Sequence, residues 1–140
     1  MNTRKPTSRL VAVLLVLQGV AGSAIAATPV LAPGAYSSGG ISDESRQEML
    51  ATRELYNLQA TFAEARTGAY VAGVTIWVES ADRNTSYGPY TDAGPLFHVS
   101  LSPGVYRVSA SYGGVMRTKT LRIDKGATRV IFYWPATDDL

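Results

Sequence analysis

Between Tyr70 and Trp134, apolar and polar side chains alternate along the chain with a period of two. Val74, Ile76 and Val78 begin the alternation, and similar runs follow to the end of the segment. This period is typical of β-strands that bury one face. Glycine and proline turns separate the runs without helical segments between them, which argues against a parallel α/β sheet. The pattern predicts an all-β sandwich or barrel.

Just upstream, two apolar periods overlap. Leu55 and Leu58 fit the spacing of a helix, whereas Leu58, Ala60 and Phe62 alternate as in a strand. The period alone allows either structure. The strands that follow favour a strand over residues 56–63.

A short helix is predicted within residues 42–55. The hydroxyl of Ser42 can accept a main-chain N–H at the start of this helix, and Asp43 and Glu44 suit the positive end of its dipole. Residues 27–41 before it are rich in Pro, Gly and Ser. Such a composition predicts a flexible leader.

The dipeptide Gly113-Gly114 predicts a two-residue hairpin loop, which fixes the register of the strands beside it. The register pairs Tyr106 with Leu121, Val108 with Lys119, and Ala110 with Arg117. Because directly paired residues share a face, two cations would lie on the core side. The hairpin must then extend past the facing sheet or contain a bulge, and we favour extension.

Residues 1–26 have the three parts of an export signal. A positive region contains Arg4, Lys5 and Arg9, and an apolar run follows at Leu10–Val20. Ala24-Ile25-Ala26 then supplies the small residues that precede cleavage between Ala26 and Ala27. The apolar run is shorter than the roughly 20 residues that span a membrane. We therefore expect an exported protein of the periplasm or extracellular space, with no membrane insertion after signal removal.

Removal of this signal changes the charge of the chain. It contains three of the 13 Lys and Arg residues and none of the 11 Asp and Glu residues, so the formal charge of +2 becomes −1. This balance gives no reason to expect a nucleic-acid partner. The chain has no cysteine and one histidine, which excludes disulfides, thiolate metal sites and multi-histidine metal clusters. We expect no cofactor.

The stretch Leu101–Gly114 reads LSPGVYRVSASYGG. It resembles the L-x-P-G-x-Y-x-V-x-A-x-Y-x-G stretch of carboxypeptidase regulatory-like domains, which belong to the transthyretin-like (prealbumin-like) β-sandwiches. Gly68–Ile76 is similar to the opening of such domains, and Val130–Trp134 to their closing strand. The chain also resembles small exported proteobacterial proteins that consist of one such domain.

The resemblance covers roughly residues 56–134. It implies an antiparallel, immunoglobulin-like or transthyretin-like β-sandwich of about seven strands over residues 56–135, with the short N-terminal helix before it and a tail at 136–140. It also implies that Pro103-Gly104 makes a tight turn into a strand and that Tyr106 packs into the core.

The resemblance implies no catalysis. Regulatory-like domains attached to zinc carboxypeptidases are non-catalytic, and the peptidase His-x-x-Glu pair is absent from this chain. The related hydroxyisourate hydrolases use several histidines and a C-terminal Tyr-Arg-Gly-Ser, whereas this chain has one histidine and ends in Asp138-Asp139-Leu140. We therefore expect a non-enzymatic binding or interaction module of the bacterial cell envelope.

Five aromatic side chains are the main candidates for ligand binding: Trp77, Tyr87, Tyr90, Tyr112 and Trp134. Trp77 lies on the outward phase of its strand, and the Gly-Pro between Tyr87 and Tyr90 indicates an exposed loop. Such rings can stack on sugars or anchor a protein partner, so both an envelope polysaccharide and an envelope protein are candidates, with the protein favoured. The structural alternative is that the helix covers Trp77 and that Trp134 closes the core.

Three other sets of residues are weaker candidates. His98 and Ser100 share a strand face and permit a Ser–His hydrolase, a distant third hypothesis beside a solvated polar face. Asp82–Ser86 has the first oxygen spacings of a calcium loop, but Gly88 comes one residue late and Ala93 replaces the bidentate Glu. A charged face or protected edge explains the hairpin cations more simply than a phosphate site; these are Arg107, Arg117, Lys119 and Arg122.

Overall fold

The computed structural model describes residues 30–136. The predicted signal, its cleavage site at Ala26 and Ala27, and residues 137–140 of the predicted tail lie outside the described residues. Within these residues, the α-helix α1 (Asp43–Thr52) is followed by a 3₁₀ helix (Arg53–Leu55). The strands are β1 (Tyr36–Gly39), β2 (Leu58–Glu64), β3 (Val74–Ser80), β4 (Ser86–Ala93), β5 (Leu96–Val99), β6 (Gly104–Tyr112), β7 (Val115–Ile123) and β8 (Thr128–Trp134).

The strands form two four-stranded sheets, which confirms the predicted β class. Sheet I has the order β1-β5-β2-β8, and sheet II the order β4-β3-β6-β7. All neighbours are antiparallel except β2 and β8, which pair in parallel. The prediction of a purely antiparallel arrangement is therefore wrong at this pair. The connection after β7 crosses from sheet II to sheet I, and it delivers β8 in the direction of β2.

The alternating apolar residues of both sheets meet in one core. Its largest fully buried side chains include Trp134, Phe62, Phe97 and Phe132. The indole of Trp134 is 1% exposed, and its Nε1 donates a hydrogen bond to the main-chain oxygen of Val115 at 2.9 Å. The alternative that Trp134 closes the core is confirmed. Tyr106 is also buried, as the resemblance implied, and its hydroxyl donates to the oxygen of Ser102.

The register predicted from Gly113-Gly114 is confirmed. Tyr106 pairs with Leu121, Val108 with Lys119, and Ala110 with Arg117, without a register shift between β6 and β7. The bulge alternative is therefore wrong for this hairpin. The two cations avoid the core because β7 is the last strand of sheet II and lies beside β8, the last strand of sheet I.

At this shared edge, the cations contact β8. The Nε of Arg117 donates a hydrogen bond to the main-chain oxygen of Tyr133 at 3.1 Å. The Nζ of Lys119 lies 5.9 Å from the ring centroid of Phe132, within reach of a cation–π interaction. The hairpin thus extends to the side of the facing sheet, where its cations border the unpaired edge of β8.

The predicted flexible leader differs from the structure, because part of it is a strand. Residues Tyr36–Gly39 form β1, which pairs antiparallel with β5 from Tyr36 opposite Val99 to Gly39 opposite Leu96. The ring of Tyr36 also lies 5.7 Å from that of Phe97. Composition alone misses such a strand, since four residues gain their stability from a partner distant in sequence.

Both periods found around residue 58 occur in the structure, one after the other. Helical structure ends at Leu55, and β2 begins at Leu58, so the strand favoured for this stretch is confirmed. At the start of α1, the hydroxyl of Ser42 accepts a hydrogen bond from the N–H of Ser45 at 3.0 Å. The helix packs on the outer face of sheet I, where Met49 is buried and contacts Ser37.

Candidate functional site

Trp77 lies on the outer face of sheet II and is partly exposed. The predicted alternative that the helix covers Trp77 is wrong, because α1 packs on sheet I. In the register of sheet II, Trp77 pairs with Ser109, and Ser109 pairs with Thr118. The three side chains therefore form one row across the sheet, with the hydroxyls of Ser109 and Thr118 3.1 Å apart.

Two further rows border this one on the same face. Thr75, Ser111 and Met116 form the first. Glu79, Arg107 and Thr120 form the second, in which Arg107 Nη1 and Glu79 Oε1 are 3.1 Å apart. Neighbouring strands lie about 4.8 Å apart and successive rows about 6.7 Å apart. We call these nine residues the Trp77 platform: one indole surrounded by hydroxyls, with an ion pair at one end and a thioether at the other.

Tyr87 and Tyr90 do not belong to the platform. The prediction of an exposed loop is wrong, because Ser86–Ala93 is the strand β4. Tyr87 pairs with Val78 and Tyr90 with Ile76, and both tyrosines pack against the core. The hydroxyl of Tyr90 donates to the oxygen of Gly34 at 2.9 Å. The two tyrosines lie on the opposite face of sheet II from Trp77. The prediction that all three form one ligand site is therefore wrong.

A bulge in β4 explains this placement. Tyr90 comes three positions after Tyr87, whereas their partners on β3, Ile76 and Val78, are two positions apart, so one extra residue must be accommodated. Gly88 at this point has φ +100°, and a Cβ there would lie 2.7 Å from the main-chain oxygen of Ile76. Burial, and to a lesser extent Tyr87 and Tyr36, raises the pKa of the Tyr90 hydroxyl. The Tyr90 ring thus packs against the core and is not available to a ligand on the outer face.

The remaining aromatic candidate, Tyr112, lies at the end of β6. Its ring meets that of Trp134 edge-on at 5.7 Å and packs against the core. Of the aromatic residues singled out by the sequence, only Trp77 stands on an outer sheet face.

His98 lies beneath the helical segment on the outer face of sheet I and is 4% exposed. The prediction of a solvated face is wrong here, because α1 and the 3₁₀ helix cover it. Its Nδ1 is buried and has no hydrogen-bond partner among residues 30–136. Burial, and secondarily the charge of Arg53, lowers the pKa of His98, whereas Glu54 acts in the opposite direction.

The imidazole borders a cavity of about 170 Å³. Its floor consists of two rows of sheet I, and Leu50 and Arg53 lie above them. One row is polar (His98, Gln59 and Arg129), and the other is mainly apolar (Leu96, Thr61 and Ile131).

Ser100, the proposed nucleophile beside His98, follows the last residue of β5, and its main-chain groups are hydrogen-bonded to the segment before β1. Its N–H donates to Ala35, and its carbonyl accepts from Gly34. No hydrogen bond joins it to His98 Nδ1.

Asp82 organises a turn at one end of the sheets. Its Oδ1 accepts from the hydroxyl of Ser80 at 2.6 Å and from the N–H of Asn84 at 2.9 Å, and these bonds lower its pKa. Within residues 30–136, no three His, Cys, Asp or Glu side chains come together as metal ligands would. The turn lines an open cleft of about 380 Å³ with Pro103 and Tyr106.

The alternation of the predicted hairpin already placed hydroxyl side chains of the platform on one outer face, although the sequence analysis did not assign them to a site. Ser109, Ser111, Thr118 and Thr120 occupy the outward phase of the predicted hairpin, and the Gly-Gly register already pairs Ser109 with Thr118. No comparable pattern indicated that Gln59, Arg53 and Arg129 meet His98, because this requires the helix to dock on sheet I.

Compared with known protein families and with curated proteins, the chain matches none. Among residues 30–136, no helix combines the length and apolar character needed to cross a membrane.

Proposed function

We propose that this protein is a non-catalytic, exported binding module of the cell envelope and that its ligand is a polysaccharide. We further propose that its two sheets form a transthyretin-like β-sandwich related to carboxypeptidase regulatory-like domains. The observation that carries the proposal is the Trp77 platform, which combines a partly exposed indole with hydroxyl side chains on one face of sheet II.

Each part of the platform has a role in binding a sugar chain. The indole offers a flat apolar surface for the C–H face of a pyranose ring, and it loses little conformational entropy on binding. The hydroxyls of Ser109 and Thr118 can donate to and accept from sugar hydroxyls. Arg107 and Glu79 can add charge-assisted hydrogen bonds at the end of the platform.

The edge strands of sheet II, β4 and β7, give less support to strand addition by a protein partner than the Trp77 platform gives to polysaccharide binding. A register shift interrupts β4, and cations line β7 on the side of β8. Both features are devices that protect edges against pairing. The face of sheet II is therefore a better binding surface than its borders.

The proposal is tested by co-sedimentation of the purified protein with peptidoglycan sacculi and, separately, with an insoluble neutral glucan. We expect pelleting with envelope polysaccharide that soluble oligosaccharide competes away. Trp77→Ala should weaken binding at least tenfold. Tyr133→Ala removes an exposed aromatic side chain from sheet I and serves as the control. Equal pelleting of the parent protein and Trp77→Ala would overturn the proposal.

A second candidate function is binding of an envelope protein, and exposed apolar side chains on sheet I and on the segments beside it favour this function. Leu50, Tyr70, Ile131 and Tyr133 are each 42–51% exposed, and both Tyr70 and Tyr133 pair with Ala63. Clustered exposed apolar residues are typical of protein interfaces. A photoreactive amino acid at position 133 should then give a discrete cross-linked product in the native envelope, and one at position 116 on sheet II should not.

A further inference from the structure

The cavity beside His98 has a polar half and an apolar half. The directly paired residues His98, Gln59 and Arg129 line one half, and Leu96 and Ile131 line the other. These rows lie about 6.7 Å apart, which is the distance between residues i and i+2 of a strand. A ligand lying across both rows would thus place a polar head in the first row and an apolar tail in the second.

The buried imidazole has unused hydrogen-bonding capacity. His98 is 96% buried (4% exposed), and its Nδ1 has no partner among residues 30–136. An unpaired buried polar atom destabilises a fold, and proteins place such atoms where a ligand or water supplies the partner. Gln59, its neighbour in the row, is fully engaged: its Nε2 donates to the oxygens of Arg53 and Tyr56, and its Oε1 accepts from Arg129 Nε.

The rim of the cavity carries an excess positive charge. Arg53 and Arg129 both line the cavity, and both pair with a single acidic side chain, Glu54. Each guanidinium reaches the same atom, Glu54 Oε2, at 3.2 Å. One negative charge shared by two cations leaves one positive charge, which favours an anionic head group.

We propose that this cavity binds a small aliphatic monocarboxylate. The carboxylate would accept hydrogen bonds from the imidazole of His98 and from the guanidinium groups of Arg53 and Arg129. The tail would pack between Leu50, Leu96 and Ile131. An engineered protein cavity of about 150 Å³ holds a benzene molecule. The cavity of about 170 Å³ therefore accommodates a carboxylate with a short branched tail, such as isovalerate.

The single histidine of the chain makes a direct test possible. We would label the imidazole with ¹⁵N, remove any affinity tag that contains histidine, and titrate isovalerate at constant pH while recording the ring resonances. Saturable shifts with a dissociation constant on the order of a millimolar are expected for a ligand of this size. Isovaleramide has the same shape without the charge, and it should bind at least tenfold more weakly.

Three variants separate the proposed site from general effects. Arg129→Gln should weaken isovalerate binding at least fivefold, and Thr61→Leu should abolish it by filling the cavity. Trp77→Ala, on the other sheet, should bind isovalerate like the parent protein, so this test is independent of polysaccharide binding. Circular dichroism checks that each variant is folded. If Thr61→Leu is not folded, the binding test rests on Arg129→Gln alone.

The proposal is overturned if isovalerate leaves the His98 resonances unshifted at 50-fold excess over about 1 mM protein. It is also overturned if isovaleramide binds equally well, or if inorganic phosphate produces the same saturable shifts, because the site would then recognise neither the carboxylate nor its tail.

Discussion

The side-chain amide of Asn57 bonds both main-chain groups of Leu101. Its Nδ2 donates to the oxygen of Leu101 at 2.6 Å, and its Oδ1 accepts from the N–H of Leu101 at 2.9 Å. These two hydrogen bonds imitate the pairing of two strand residues. They join the residue before β2 to the segment between β5 and β6.

Replacement of this amide should destabilise the fold. Asn57→Ala leaves a buried N–H and a buried carbonyl without partners, so the free energy of unfolding should fall by about 3 kcal/mol. Urea denaturation measures the change. Gln47→Ala, an exposed substitution on α1, should change it by less than about 0.5 kcal/mol. Asn57→Asp keeps the acceptor but loses the donor when ionised. If Asn57→Asp is as stable as the parent at pH 7, the bond to the Leu101 oxygen contributes nothing.

The burial of His98 should make stability depend on pH. Because burial lowers its pKa below the value of 6.5 expected in the unfolded chain, the unfolded state binds more protons as the pH falls below 6.5. The free energy of unfolding should therefore be highest above this pH and should decrease below it, with a slope of at most about 1.4 kcal/mol per pH unit.

Denaturation at pH 7.5 and pH 5.5 measures this effect. His98→Gln removes the only histidine, so the decrease between these pH values should disappear in the variant. Asp82, whose pKa is lowered from 3.8, titrates below the measured range and does not interfere. Equal pH slopes for the parent protein and the variant would contradict the expectation.

The cations of β7 should keep the protein monomeric at the edge shared with β8. In the double variant Arg117→Val/Lys119→Val, the hydrogen bond to Tyr133 and the charge over Phe132 are lost, and an apolar strand edge remains. We expect concentration-dependent self-association by sedimentation velocity. Thr120→Val/Arg122→Val places the same residue type on the opposite face of β7. If both double variants associate to the same extent, the edge cations have no protective role.

Local chemistry made the β6–β7 hairpin predictable, because a two-residue glycine loop sets the register without help from the rest of the molecule. The same reasoning did not reach Tyr87 and Tyr90. Their spacing of three breaks the period of two, and Gly88-Pro89 between them has the composition of a loop. Only the bulge against β3 turns both rings inward.

The environment of His98 was unpredictable for another reason. Alternation correctly assigned it to the polar phase of its strand, but alternation does not state what lies above that face. The covering helix begins 55 residues earlier in the chain, and its docking depends on contacts such as that of Met49 with Ser37. A residue that the sequence presented as solvated is thus only 4% exposed in the structure.

The parallel pair of β2 and β8 has a consequence for how the chain reaches its native state. Each residue from Leu58 to Glu64 pairs with a partner 70 positions later, up to Trp134. Contacts this distant in sequence slow folding, because a long loop must close before they form. The ribosome must release β8, up to Trp134, before β2 acquires its second neighbour. Sheet I can therefore be completed only after β8 has been synthesised, and the core stays open until its closing tryptophan, Trp134, is in place.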